Sequence, residues 1–323
     1  MRREGSPWEG LGSVTAKELA DHLSSARMIV IGLLMTILGC AAVGVAIYAV
    51  RQTTAEDPFV LLKLFTASRA PLPSLVGVLS FLVPLMAIGL AFDAINGEHN
   101  RRTMSRILSQ PIYRDALLAG KFVAGLATLG VNLLCLWLLV VGLGIIFLGV
   151  PPNAEEVARS LAFLVVTFAY AGTWLALALL LSILFRSAAT AALVALGLWL
   201  FLTVIWPMVA PTIAAIVAPP DPRFELLGIP TPATFAWEES LSAISPNHLF
   251  IEAATSLLAP EVRAVGMDPL TQLSQLQGAV LGAPLPLSES LAVAWPQVVA
   301  LVAGVIVLFV AGYVVFQRQE VRA

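Results

Sequence analysis

The sequence predicts an all-α membrane protein with six transmembrane helices. Three observations carry that prediction. The chain of 323 residues is 59% hydrophobic and only 12% charged, with a mean hydropathy of +0.91, whereas soluble domains are nearer half apolar and a quarter charged. Six apolar runs each reach the roughly 20 residues that cross a bilayer core of about 30 Å. Those runs carry almost no Asp, Glu, Lys or Arg, and charged or Pro-rich stretches punctuate them. Both cysteines, Cys40 and Cys135, lie inside apolar runs, so they read as small hydrophobes and not as a disulfide or metal framework.

Residues 1–12 are polar and Gly-rich. Residues 13–26 read as an amphipathic helix lying in the membrane interface. Thr15 and Glu18 have capping-box spacing; Leu19 and Leu23 share one face, with Lys17, Asp21 and Ser24 on others. The mixed charge here, and the length of the first apolar run, argue against a cleavable signal peptide. Span one is Met28–Val50, bracketed by Arg27 and Arg51. Residues 51–72 form a short polar loop holding Glu56, Asp57, Lys63 and Arg69. Span two is Leu75–Ile95 and contains Pro84, which a membrane helix tolerates when neighbours satisfy the freed carbonyl.

The stretch Asp93 to Lys121 carries five of the eighteen Lys and Arg. From Glu98 to Gln110 its pattern is helical: Met104, Ile107 and Leu108 fall at i, i+3, i+4, while Arg102, Arg106 and Ser109 cover another face. Pro111 stops this helix, because a residue before proline is pushed out of the α region. A second helix starts near Arg114 and merges into span three, Leu117–Val150, which is too long for one crossing. Pro151-Pro152-Asn153 ends it, and Glu155, Glu156 and Arg159 form a short loop. Span four is Ser160–Phe185, and Arg186-Ser187 makes a tight turn. Span five, Ala188–Val217, holds Pro207 and Pro211 and reads as a kinked or broken helix. Residues 218–290 form a large Pro-rich loop domain, irregular apart from short helical patches such as 247–258. Span six is Ala292–Phe316, followed by a charged tail.

An even number of spans puts both termini on one side. That side, with the 93–121 stretch and Arg186, holds twelve of the eighteen Lys and Arg; the other side, with the 51–72 loop, Arg159 and 218–290, holds six. The excess marks the cytoplasm, so 218–290 is expected outside.

The absent chemistry narrows the function. Ionisable residues inside spans mark ion paths, and these spans carry almost none, which argues against an ion-coupled carrier. Glu155-Glu156-Val157-Ala158-Arg159 is one residue short of an intramembrane-protease signature and is expected in a solvated loop. Gly120-Lys121 is no phosphate-binding loop: position 115 is Asp where that motif needs Gly, and Phe122 replaces Ser or Thr. His22, His99 and His248 lie in separate regions, and no His/Cys/carboxylate cluster has ligand spacing; His248 reads as a surface histidine. The 98–110 helix, with an apolar ridge and flanking charge, suits either lipid headgroups or docking into a partner's groove.

The order Glu98, Thr103, Leu108, Pro111, Arg114, Gly120-Lys121 resembles the cytoplasmic signature of the ABC type 2 transporter permeases. Lys17-Glu18-Leu19, with Leu23 and Arg27, is similar to that family's elbow helix; Ser245-Pro246 and the tail FQRQEVRA agree with it too. The resemblance covers most of the chain and is weakest in 218–290. Within the family, the branch containing the nitrous-oxide-reductase maturation permease is the most similar. The resemblance implies a division into a cytoplasmic N-terminus with an elbow helix (1–26), spans one to five with a coupling segment at 93–121 (27–217), the external loop domain (218–290), and span six with a cytoplasmic tail (291–323). It implies an exporter's membrane subunit in a prokaryotic plasma membrane, paired with a second permease copy or homologue. Its coupling helix, with Glu98, Arg102, Thr103, Arg106, Leu108, Pro111, Arg114 and Lys121, would seat in a cytoplasmic ABC ATPase subunit. ATP and Mg would sit on that partner, leaving this chain with no cofactor and no catalytic site of its own. Nucleic acid is not expected as a partner; lipid is, and an extracytoplasmic protein on 218–290 is a further candidate. The apolar spans fit a hydrophobic cargo and fit helix packing equally. The rival class is a scaffold or assembly factor acting through 218–290; a channel or uniporter is disfavoured by the lack of polar span faces.

Overall fold

The computed structural model describes residues 10–52, 59–100, 113–149, 151–225, 231–260 and 285–318. The described residues are almost all helical and contain no strand. Six helices are long and apolar enough to cross a membrane: Ala26–Arg51, Leu75–Glu98, Arg114–Leu148, Ala154–Leu184, Ala188–Val217 and Leu287–Arg318. They are the six expected spans, each with ends within a few residues of the hydropathy boundaries.

Helix α1 is Leu11–Ser24, entered through Gly10 in the left-handed conformation (φ 89°). The expected capping box at Thr15 and Glu18 does not form. The helix begins four residues earlier, so Thr15 and Glu18 are interior and point at another helix. Its buried residues are Val14 and Glu18, not the Leu19 and Leu23 face; Leu23 is 50% exposed, as the apolar face of a helix lying in an interface would be. Extended Ser25 joins it to α2, Ala26–Arg51.

The 51–72 loop is not simply polar. Helix α3, Val60–Thr66, buries Leu61, Leu62, Leu64 and Phe65, and its Leu61 N–H donates to Glu156 Oε1 at 2.7 Å. Helix α4 is Leu75–Ala91, capped by Ser74, and short α5 is Asn96–Asn100. Helix α6, Arg114–Leu148, has 35 residues, or about 52 Å at 1.5 Å per residue, so it must project beyond a core of about 30 Å. Helix α7, Ala154–Leu184, starts in a capping box between Asn153 and Glu156. Glu155, Glu156 and Arg159 are therefore the first turns of a helix and not a solvated loop. The Arg159 side chain is wholly buried and holds Glu155 Oε1 (2.8 Å), Leu257 O (3.2 Å) and Ser290 Oγ (2.9 Å), with the Leu285 carbonyl also accepting from it.

Span five is broken as its prolines require. Helix α8, Ala188–Leu200, passes through a π-turn, Phe201–Ile205, into α9, Trp206–Val217. In the π-turn, Trp206 N–H reaches back five residues to Phe201 O. The next partner in that register would be the N–H of Pro207, which does not exist. The Leu202 carbonyl left over accepts from Ser245 Oγ at 2.7 Å.

Ser245 belongs to a helical hairpin, so the expected irregularity of 218–290 does not hold over 232–258. After short α10 (Pro222–Glu225) come α11, Pro232–Ser242, and α12, Pro246–Leu258. Asn247 meets Tyr170 and Leu257 meets Arg159, so α12 runs antiparallel to α7. The Tyr170 and Phe250 rings stack at 4.6 Å, with Phe163 tilted against Phe250 and Phe65 edge-on to Phe163. Phe250, Ala253, Ala254 and Leu257 are essentially inaccessible, which makes α12 a core element. Residues 226–230 and 261–284 lie outside the described residues. Helix α13, Leu287–Arg318, closes the bundle along α7 and α12.

Candidate functional site: a charge network where α1, α4, α5 and α6 meet

One end of the bundle gathers α1, the end of α4, α5, the start of α6 and the end of α13. Val14 of α1 lies so close to α6 that a Cβ on Gly120 would sit 2.7 Å from its Cγ1; only glycine lets the two backbones approach this far. That contact sets the next residue, Lys121, directly under α1. Lys121 Nζ lies 2.9 Å from Glu18 Oε1 and 3.4 Å from Glu98 Oε1. Its side chain is 4% exposed, against 12% for Glu18 and 18% for Glu98. One buried ammonium therefore joins three helices: α1 through Glu18, α5 through Glu98, and its own α6. Lys17 adds a solvent-side ion pair with Asp21 at 3.0 Å and reaches Glu18 at 3.1 Å.

A second link lies beside the first. Both guanidinium nitrogens of Arg27, at the start of α2, face the two carboxylate oxygens of Asp93 at 3.2 and 3.3 Å, and the guanidinium stands 4.9 Å over the Phe92 ring. The turn into α5 is pinned from α7: Ser182 Oγ accepts from the backbone N–H of Ile95 and Asn96, and the Asn96 amide donates to Phe92 O and Phe185 O. Asn100 donates to Arg186 O at 3.1 Å. On the far side, Arg114 stands over the Phe316 ring at 5.8 Å, and Gln317 donates to Asp115.

These groups surround a cavity of about 400 Å³ lined by, among others, Lys17, Glu18, His22, Arg27, Glu98 and Lys121. Burial opposes the ionised form of Glu18, but the Lys121 ammonium, helped by Lys17, outweighs it and holds the carboxyl below its usual range. Burial also opposes the charge on Lys17, yet Asp21 and Glu18 raise its pKa on balance. Burial pushes His22 down, favouring the neutral ring.

Of the residues expected to receive work from an ATPase, Glu98, Arg114 and Lys121 all belong to this junction; Arg102, Thr103, Arg106, Leu108 and Pro111 lie outside the described residues. Of the expected elbow residues, Lys17, Glu18 and Arg27 join the network, Leu19 is half-buried, and Leu23 faces outward. The structure adds Val14, Asp93, Asn96 and Ser182, for which no local pattern gives a signal. It also corrects the expectation that no His/carboxylate group has ligand spacing: Glu239, His248 and Glu252 bring ligand atoms within 4.8 Å of one another, and His248 is half-buried. The readable signal was the four-residue step from His248 to Glu252, one helical turn.

A bundle of six helices long and apolar enough to cross a membrane, with a buried ionic junction near the start of the long third one, is the architecture of a multi-pass membrane protein. Residues 13–321 match the family described as ABC-2 family transporter protein, and the chain belongs to that family. It is 31% identical over 202 residues to the probable ABC transporter permease protein NosY of Pseudomonas aeruginosa, covering 61% of this chain and 68% of that relative. It is 29% identical over 203 residues to the protein of the same description from Stutzerimonas stutzeri, again covering 61% and 68%. Permeases of this family lack an ATPase site of their own and normally work with an ATPase subunit.

Proposed function

We propose that the chain is the membrane subunit of an ATP-driven exporter, with its basic end in the cytoplasm, where a separate ATPase subunit grips residues 98–110. ATP and Mg belong to that subunit, and a second permease, identical or related, completes the translocator. The observation that carries this reading is Lys121, whose ammonium ties α6 to the Glu98 end of the coupling segment and to α1. The segment enters the bundle at Asn96 and Glu98, both fastened to neighbouring helices, and leaves it at Arg114 and Asp115, which meet the end of α13. Force applied between these anchors would move α4, α6 and α13 together, with α1 carried along by the Glu18–Lys121 pair. The side with more Lys and Arg supports the cytoplasmic placement. The almost wholly apolar spans suit a hydrophobic cargo.

The test is co-expression with an ABC ATPase encoded beside the chain. A stable complex is expected, with Glu98→Lys or Arg114→Glu lowering the ATPase rate of the complex about tenfold, the equivalent of about 1.4 kcal/mol, while assembly persists. A purified chain that never associates with an ATPase would sink the reading. A scaffold acting through 218–290 would instead keep its function through both charge reversals.

A further inference from the structure

His248 and Glu252 are four residues apart on α12, so they share one face, one turn apart. Glu239 approaches them from α11. His248 Nε2 lies 3.7 Å from Glu239 Oε1 and 3.6 Å from Glu252 Oε2. Both distances are too long for hydrogen bonds, and Nε2 is buried without a hydrogen-bond partner. The spacing is instead close to that of donors around one small cation: with metal–ligand bonds of about 2.0–2.1 Å, tetrahedral neighbours stand roughly 3.3 Å apart. Gln297 of α13 stands near Glu252, and its Oε1 is likewise buried with no hydrogen-bond partner.

The place is an expensive one for carboxylates. Ser245, at the tip of the hairpin, touches Leu202, halfway along span five. Glu252 follows it by seven residues on α12, and its side chain is only 7% exposed. Buried carboxylates are kept where they are paired or bind metal. Among the described residues, the ion pairs of Glu239 and Glu252 are to His248 alone.

We propose that Glu239, His248 and Glu252 bind one divalent transition-metal cation of the zinc type. Two carboxylates neutralise its charge. The imidazole nitrogen selects such a cation over Ca²⁺ or Mg²⁺, which prefer all-oxygen sites. A fourth position remains for water or for Gln297 Oε1. The bound ion fastens α11 to α12 and so stiffens the hairpin that fills the break in span five. This inference does not depend on the exporter reading.

The test is Co²⁺ titration of the purified full-length chain, freed of any histidine tag and held in lipid nanodiscs. Expected are one Co²⁺ per chain with the visible absorption of a low-coordinate site, displacement by one equivalent of Zn²⁺, and no displacement by excess Ca²⁺. His248→Ala and Glu252→Gln are expected to abolish the signal, and Glu239→Gln to weaken binding at least tenfold. If the changes on buried α12 prevent folding, Glu239→Gln on half-exposed α11 carries the test alone, together with the metal-dependent rise in melting temperature that it should lose. A wild-type chain without the cobalt spectrum, or a folded Glu239→Gln protein that binds like wild type, overturns the proposal.

Discussion

Lys121 is the residue on which the α1 junction turns. Replacing it with Met would leave Glu18 and Glu98 facing each other with no buried cation between them. Breaking a buried pair from one side costs about 3–5 kcal/mol, so Lys121→Met should lower the melting temperature in detergent, and adding Glu18→Gln should restore part of the loss. Equal melting temperatures for wild type and Lys121→Met would show the junction to be idle. The same groups fix a pH response. Glu18 is more acidic folded than unfolded, so its contribution is full above the ordinary glutamate range and is lost as pH falls through its lowered value. His22 is also lowered, so folding must hold it neutral, and that cost appears as pH drops below about 6.5, the ordinary histidine value. Both signs agree: acid loosens α1 from α6, beginning near pH 6.5 and deepening below about 4. Hydrogen exchange of the α1 amides against pH checks this, and Glu18→Gln should flatten the lower part of the profile.

At the scale of elements, the break in span five and the hairpin that fills it form one device. Pro207 removes a donor, the π-turn shifts the orphaned carbonyl to Leu202, and Ser245 supplies the missing hydrogen bond. Ser245→Ala should cost about 1–3 kcal/mol, the penalty of a buried acceptor left unsatisfied, and Ser245→Thr should cost much less; a thermal shift that ranks the two changes alike would refute the account. The sequence disclosed half of this device. Hydropathy marks a span wherever twenty apolar residues run together, so the span ends were legible, as was the proline break within span five. The hairpin was not. Its helices are short, its charges at Glu239, His248 and Glu252 resemble those of a surface loop, and its burial depends on Tyr170 and Leu202, far away in sequence. Arg159 was misleading for the same reason: its partners Leu257, Leu285 and Ser290 come from another part of the chain, and a local window sees only a charged turn after Pro151-Pro152. At the α1 junction the charged members were singled out by their resemblance to a family signature, but the Lys121–Glu18 pair joins residues 103 positions apart, and no periodicity reports that. Gly120 is a contact point whose meaning appears only once Val14 rests on it.

The whole molecule divides into an inner pair of helices and an outer shell. Within their most apolar windows, 67% of span two and 72% of span four are buried, against 28%, 22%, 17% and 11% for spans one, three, five and six; the outer four therefore offer their apolar faces to lipid or to a second permease. Which end of this bundle meets the cytoplasm rests on charge: twelve Lys and Arg at the α1 side against six at the other, a bias that orients short loops strongly. Two exposed positions test it. Ser24 ends α1, and Arg223 lies on α10 beyond the far end of span five. Cys40 and Cys135 sit within spans, so replacing both with Ala gives a silent background. On that background, Arg223→Cys in spheroplasts should react with a membrane-impermeant maleimide, and Ser24→Cys should react only after permeabilisation. The reverse labelling would place the α1 junction outside, out of reach of any cytoplasmic ATPase, and would remove the drive from the proposed exporter while leaving the fold and the metal site of the hairpin untouched.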